Sequence, residues 1–453
     1  MKFFAIIEEV YGGIVMKKIL SAILSVIFIF GICATSSAKD FDKKIIDNEL
    51  AKMIGNDDTQ VTGLGVIAFE DGKIVNENFL GKRNLEKNLP VTKDTRFRVA
   101  SISKMFTMFG IMKLVEENKI DLDEDVSKYL GFVLRNPNFP DEKITVRKLA
   151  SHTSTIRDGK GYTLTKNYSL EEFFKKTGVA YEDGKHFATE KNFFKYSNLN
   201  YGILATIIEK VSGERFDKFI KKNILQPLEI DADYVVGNLS AKNFENLGAL
   251  YNKENGAWVA TQDNFSSQPK KDFADVLSNY VYSEPLTSLS DYKIGTNATV
   301  FNPAGGLRIS FAELGNCLEM ITNGGNFHGK QIVREDLLKE MMAKQWIYDE
   351  KTKNGDTYEV MFSYGLGLYQ IDGASPARLC KNFDIDLIGH SGEAYGMISG
   401  LYFIPQTKKG VIFMINGVGV EPGVDEKSFG KFGNGFIWEE EIMNPILENI
   451  FAK

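Results

Sequence analysis

Cysteine is scarce in this 453-residue chain: three residues, Cys33, Cys317 and Cys380. That excludes the dense disulfide framework that staples small secreted domains. No HExxH and no paired CxxC occurs, so no metal site is expected, and nothing calls for a cofactor. Basic residues are not in excess. Lys and Arg total 54 against 60 Asp and Glu, a net charge of −6 with both signs spread along the chain, which excludes the basic footprint of a nucleic-acid binder. Internal repeats and low-complexity tracts are missing too. Long apolar runs are confined to the N-terminus. Apolar residues make up 43% of the chain and aromatic residues 12%, enough for a sizeable core.

The N-terminal run carries the parts of an export signal. Met16-Lys17-Lys18 precedes an apolar stretch from Ile19 to Cys33, followed by Ala34-Thr35-Ser36-Ser37-Ala38. A basic start, a short apolar stretch and small residues suit signal-peptidase cleavage after Ala38. Residues 1–38 are therefore expected to be a signal peptide, with translation starting at Met16, because Glu8 and Glu9 do not suit a signal n-region. The expected location is the periplasm or the exterior. Membrane association is expected only if the signal stays uncleaved. A lipoprotein on Cys33 is disfavoured by Ile32, where a small residue belongs. Cys317 and Cys380 are expected as partly buried thiols, although export would permit a bridge between them.

Past the signal, Val61–Phe69 and Ile74–Leu80 predict an antiparallel hairpin around Glu70-Asp71-Gly72-Lys73. After the extended Phe97-Arg98-Val99-Ala100, a helix is expected. Met105, Phe106, Met108, Phe109, Met112 and Val115 recur at three- and four-residue spacing and give it one broad apolar face. Helices follow at Tyr201–Val211, Phe216–Ile224 and Ala312–Thr322. The polar stretch 243–302 predicts long loops. Strands return at Tyr364–Gln370, Ile398–Ile404 and Val411–Asn416, and a helix closes the chain at Trp438–Ile450. Strands at both ends around a helical middle predict an α+β lobe built from both termini, with a helical lobe inserted between.

Ser101-Ile102-Ser103-Lys104 stands where the extended segment meets the apolar helix. Spacing of three places Ser101 and Lys104 on one helix face. A serine hydroxyl needs a base, and a buried lysine with a lowered pKa can serve. The same S-x-x-K spacing begins at Ser36, Ser267, Ser290 and Ser428, but those sites lie in the signal or in polar stretches. Tyr196-Ser197-Asn198 is the only Y-x-N. Its phenol could relay a proton and its amide could hold both a lysine and a substrate carbonyl. A buried tyrosine with an Asn helix cap is the structural alternative. His390-Ser391-Gly392 precedes an apolar strand. Its glycine would let substrate approach the backbone. His390 would offer a hydrogen bond, or a positive charge below about pH 6.5.

In that order, S-x-x-K, Y-x-N and [K/H]-x-G resemble the serine β-lactamase and penicillin-binding-protein superfamily. The Y-x-N form resembles the class C-like members, and the histidine form is most similar to the DD-carboxypeptidases, D-aminopeptidases and esterases among them. The likeness extends through Asp94–Ser101, Lys119–Leu130, Ile144–Ser154, Pro303–Leu307 and Asn323-Gly324-Gly325. It implies a β-lactamase/transpeptidase-like fold over 39–453, an antiparallel sheet flanked by helices plus an inserted helical lobe. The α+β lobe would span about 45–100 and 303–453, and the helical lobe about 101–302. It implies acyl transfer to Ser101 with Lys104 and Tyr196 sharing the proton, the choice of base left open. Asn198, His390, Ser391, Gly392 and Glu393 would hold substrate, and the Ser101 and Glu393 amides would form the oxyanion hole. The implied substrate is a small molecule or a D-amino-acid peptide such as a peptidoglycan stem peptide. A carboxylesterase, a weak β-lactamase or a non-catalytic sensor on the same fold are the rivals. Two positions depart from the pattern. Thr155 replaces a glycine after His152-Thr153-Ser154, leaving that turn open, and Glu393 adds a carboxylate that would repel anionic substrates. His152 is expected to be structural.

Overall fold

The computed structural model describes residues 43–273 and 288–452, apart from 359, 383 and 406. The expected signal peptide, 1–38, lies outside the described residues, as does part of the 243–302 stretch.

Alternating and continuous apolar runs at both ends of the chain produce a nine-stranded antiparallel sheet among the described residues. Its strands, numbered along the chain, are β1 Gly63–Glu70, β2 Lys73–Asn84, β3 Leu89–Pro90, β4 Trp346–Ile347, β5 Ser363–Tyr364, β6 Tyr369–Ile371, β7 Leu387–Ala394, β8 Met397–Phe403 and β9 Lys409–Ile415. The spatial order is β4-β5-β6-β7-β8-β9-β1-β2-β3. A C-terminal meander thus receives the N-terminal hairpin at one seam, where Val66 faces Phe413 and Ile67 faces Ile412. The expected Asp71-Gly72 turn is present with both residues at positive φ, 53° and 72°, the two-residue geometry that matches strand twist.

Both faces are covered, which is why β1, β8 and β9 are apolar on successive residues. Helix Phe311–Thr322, opened by a Ser310/Glu313 capping box, packs on β1, β8 and β9. Leu401, Ile412 and Met414 join its Leu314 and Leu318 in one core. Tyr402 points to the other face, where its hydroxyl meets Glu439 on the C-terminal helix Ile437–Ile446. That helix packs in turn on Lys43–Lys52. The antiparallel sheet flanked by helices agrees with the fold class expected from the sequence.

Helix Ser103–Glu116 is buried, as its broad apolar face leads one to expect, and the burial goes beyond that face: every residue from Ser103 to Met112 is buried, so the helix is enclosed all round. The polar stretch also holds more structure than expected. Leu250–Glu254 and Ala257–Gln262 pair as a hairpin that joins Gly417–Val418. Its turn is Asn255-Gly256, at φ 49° and 80°, an Asn-Gly hairpin signal that the polar composition hid. The strand expected over Tyr364–Gln370 is broken between β5 and β6, where Gly367 sits at φ 75°. Cys317 and Cys380 are both buried thiols.

A short ribbon carries the chain to the nucleophile. Arg96–Arg98 pairs with Arg308–Ser310, and the pairing continues as Val99 N–H donates to Leu307 O at 3.0 Å. Buried charge pairs pin it at both ends: Arg96 on Glu313 at 2.7 Å, and Arg308 on Asp263 at 2.9 and 3.1 Å. Such pairs contribute little net stability but make their geometry costly to break. One strand of this ribbon leads into Ser101, and the other leaves the loop Pro303–Leu307.

Candidate active site

Ser101 lies in a single 3-10 turn, Ala100–Ile102, just before the buried helix. Ala100 adopts φ 42°, a left-handed conformation that costs an L-residue about 1–2 kcal/mol. This strain marks the sharp exit from the ribbon that turns Ser101 toward a cleft of about 780 Å³. The cleft wall also includes Asp158, Tyr196, Asn198, His390, Ser391 and Glu393.

Lys104 is fully buried one turn along. Its Nζ lies 2.9 Å from Ser101 Oγ, 2.8 Å from Asn198 Oδ1 and 3.0 Å from Ala304 O. The Tyr196 and Tyr201 rings stand 4.7 and 5.4 Å from it. Burial brings the lysine down to about 7, although the Asp158 carboxylate opposes that shift. The partners fit the neutral amine. Asn198 Oδ1 and Ala304 O can only accept, so they take the two N–H bonds of a neutral amine. Its lone pair is left for the Ser101 proton.

Asn198 is the first residue of helix Asn198–Ser212. The cap position is Ser197 rather than Asn198, and it makes no capping bond of its own. The capping acceptor is Asp158, which takes Leu199 N–H and Ser197 Oγ–H, each at 2.8 Å. Asp158 also accepts from Asn198 Nδ2 at 3.1 Å, and this turns Oδ1 toward Lys104. Tyr196 is half-buried on the cleft wall and hydrogen-bonds with the Ser101 side chain, and loss of hydration there pushes its phenol well above the ordinary value.

His390 differs from its expected electrostatics. The expected charge below about pH 6.5 does not arise, because the ring is buried and Lys104 repels a proton there, bringing its pKa to about 3. Both nitrogens have partners within the protein. Nδ1 contacts Ser391 O and Nε2 lies 3.0 Å from the Tyr364 hydroxyl. Tyr364 lies 3.2 Å from His152 Nε2, and His152 Nδ1 accepts from Ser197 N–H at 3.1 Å. Only one assignment satisfies this series. Each ring is neutral, His152 donates to Tyr364, Tyr364 donates to His390, and His390 donates to Ser391 O. His152 accordingly links the Tyr196-Ser197-Asn198 and His390-Ser391-Gly392 segments instead of facing the cleft.

Gly392 provides a close approach. A side-chain carbon there would lie 2.5 Å from Val99 O and 3.0 Å from Ser101 N, so only glycine lets β7 pass against the nucleophile's backbone. Glu393 follows it on the cleft wall, exposed to cleft solvent. Loss of bulk hydration, with Glu421 adding a like charge, raises its carboxyl to about 7. Thr155 resolves the open turn. It takes φ 67°, a left-handed conformation that glycine adopts without cost and that strains a β-branched residue.

Ser101, Lys104, Tyr196, Asn198, His390, Ser391, Gly392 and Glu393 are thus brought together. Sequence reasoning missed Asp158, which lies six residues after His152, within reach of a recognised segment. It also missed the Ala304 carbonyl, because a backbone atom leaves no signature in residue type.

A family model described as Beta-lactamase matches residues 44–429. Protein flp of Staphylococcus aureus (strain N315) is 28% identical over 199 residues, 43% of this chain but 38% of that protein; this chain therefore matches well under half the length of that relative. Two solved structures share the fold. The class C beta lactamase from Rhodobacter sphaeroides has a TM-score of 0.62 at 14% identity, covering 90% of this chain and 98% of that one. The D-amino acid amidase from Ochrobactrum anthropi SV3 has a TM-score of 0.59 at 17% identity, covering 92% and 99%. With the family model spanning the sheet, the ribbon and every motif in the cleft, the chain belongs to the Beta-lactamase family.

Proposed function

We propose that this chain is an exported serine hydrolase that works through an acyl-enzyme on Ser101 and cleaves peptides or amides of D-amino acids. The observation that carries the reading is the Lys104 amine, buried, near neutrality in pKa and 2.9 Å from Ser101 Oγ. Neutral Lys104 takes the Ser101 proton as Oγ attacks the carbonyl carbon. The oxyanion faces the Ser101 and Glu393 amides where β7 passes closest. Tyr196, whose phenol stays protonated, hands a proton to the leaving amine and is replenished by Lys104. Water then cleaves the ester along the same route. The high phenol pKa is why Lys104, and not Tyr196, is taken as the base.

The cleft supports a choice of substrate. Asp158 and Glu393 line it, and no lysine or arginine does so among the described residues. With His390 neutral, nothing on that wall holds a substrate carboxylate by charge. We therefore place substrates that bring an ammonium group or a neutral ester ahead of penicillins and carboxylate-terminated D-Ala-D-Ala peptides. The structural likeness to a D-amino acid amidase supports the D configuration, and the apolar run after Lys18 supports export. A D-amino acid amide, a D-Ala-D-Ala peptide, a penicillin and a neutral ester should give kcat/KM highest for the amide or the ester. A penicillin turned over fastest would overturn the substrate choice.

A further inference from the structure

A second hydrogen-bonded series leaves the cleft on the far side of β7. The Ser391 hydroxyl, on the cleft wall, lies 2.9 Å from the Tyr369 hydroxyl. Tyr369 lies 2.6 Å from Tyr402, the Tyr402 hydroxyl lies 3.1 Å from Glu439 Oε1, and the Ser391 side chain also hydrogen-bonds with Tyr402. Tyr369, Tyr402 and Glu439 are all buried. The mechanism uses none of the three. We propose that Glu439 acts through Tyr402 and Tyr369 as a positioning residue that sets whether Ser391 offers the cleft a hydrogen or a lone pair. The proposal rests on the Ser101 acyl-enzyme reading.

A 2.6 Å separation between two phenol oxygens requires a hydrogen between them. With Glu439 ionised, Tyr402 must donate to it, so Tyr369 donates to Tyr402 and Ser391 is left to donate to the two phenols. Ser391 then shows the cleft a lone pair. With Glu439 protonated, Glu439 donates to Tyr402, one phenol donates to the other, and the remaining phenol hydrogen goes to Ser391, which frees the Ser391 hydrogen for a substrate acceptor. Tyr402 faces Glu439 from β8, Tyr369 stands behind it on β6, and Glu440 adds a like charge from the same helix. The Phe436 N–H lies at the long limit of a hydrogen bond, 3.5 Å. Burial outweighs these bonds and raises the carboxyl to about 7, so the reversal falls near neutral pH.

Two ester probes sharing one acyl group test this, one carrying a carboxylate toward the Ser391 wall and one an ammonium. In the wild type, KM for the carboxylate probe relative to the ammonium probe should rise about five- to tenfold more than in Glu439→Gln between about pH 5 and 9. Glu393 titrates alike in both proteins and drops out of the difference. Tyr402→Phe should reproduce the flatter profile with Glu439 intact. A purely structural role would lower kcat for both probes and leave the pH profile alone. Infrared difference spectra of wild type against Glu439→Gln follow the carboxyl directly and need no turnover, and its midpoint should move in Ser391→Ala. Superimposable KM profiles in proteins that still acylate Ser101, or an unmoved midpoint in Ser391→Ala, would overturn the proposal. Failure of Ser101 to acylate would instead defeat the reading on which it rests.

Discussion

Replacing Lys104 by Met separates the base's electrostatics from its packing. The side chain is fully buried, and its pKa falls from 10.5 to about 7. Between those two values the unfolded chain holds a proton that the native protein lacks. Stability therefore rises with pH across that window. One group can contribute at most about 1.4 kcal/mol per pH unit, and a slope of about 1 kcal/mol per unit is expected from about pH 7.5 to 9. Below pH 7 both states hold the proton and the slope disappears. Other groups stay out of the window. Glu393 and Glu439 titrate near 7 and act below it. The Cys317 thiol, raised by burial from 9.0, contributes only above about 9. The midpoint at a single pH is not diagnostic, because Met removes the burial cost but leaves Asn198 Oδ1 and Ala304 O without their donor, about 1–3 kcal/mol each. Urea unfolding at four pH values in both proteins gives the slopes. Lys104→Met should lose the slope and about two to four orders of magnitude of kcat. Equal slopes in the two proteins would refute a lysine that deprotonates near neutrality.

Asp158→Asn should lower kcat about 10- to 100-fold, because the Asn198 amide loses the partner that orients it. It should also move the acid limb of the pH–rate profile to lower pH, since Asp158 is the charge that opposes the downward shift of Lys104; a limb that stays put would deny that coupling. Thr155→Gly relieves a left-handed threonine and should raise stability by about 0.5–1 kcal/mol, read as a higher Tm with unchanged kcat.

The parts of this protein legible in its sequence are those written in side-chain periodicity and residue type. The β1–β2 hairpin, the Ser103–Glu116 helix and strands β8 and β9 follow from apolar spacing and from Asp71-Gly72. The three motifs could be read because serine, lysine, tyrosine and asparagine carry their chemistry at fixed spacing. What was not legible depends on distance across the fold. The neutrality of His390 comes from burial and from Lys104, set far away along the chain, so no local pattern announces it. Asp158 works as a cap for a helix that begins forty residues later. The 250–262 hairpin was hidden because one Asn-Gly pair weighs little against polar composition until Gly417–Val418 offers a partner strand.

Whether Ser101 forms the acyl-enzyme is read by intact-protein mass spectrometry after brief incubation with a p-nitrophenyl ester, a D-amino acid amide and a penicillin. One adduct of acyl mass is expected on the wild type, mapped to the peptide holding Ser101. None is expected on Ser101→Ala, whose circular dichroism and Tm should match the wild type. An adduct that persists in folded Ser101→Ala, or maps to another serine, would contradict an acyl-enzyme on Ser101.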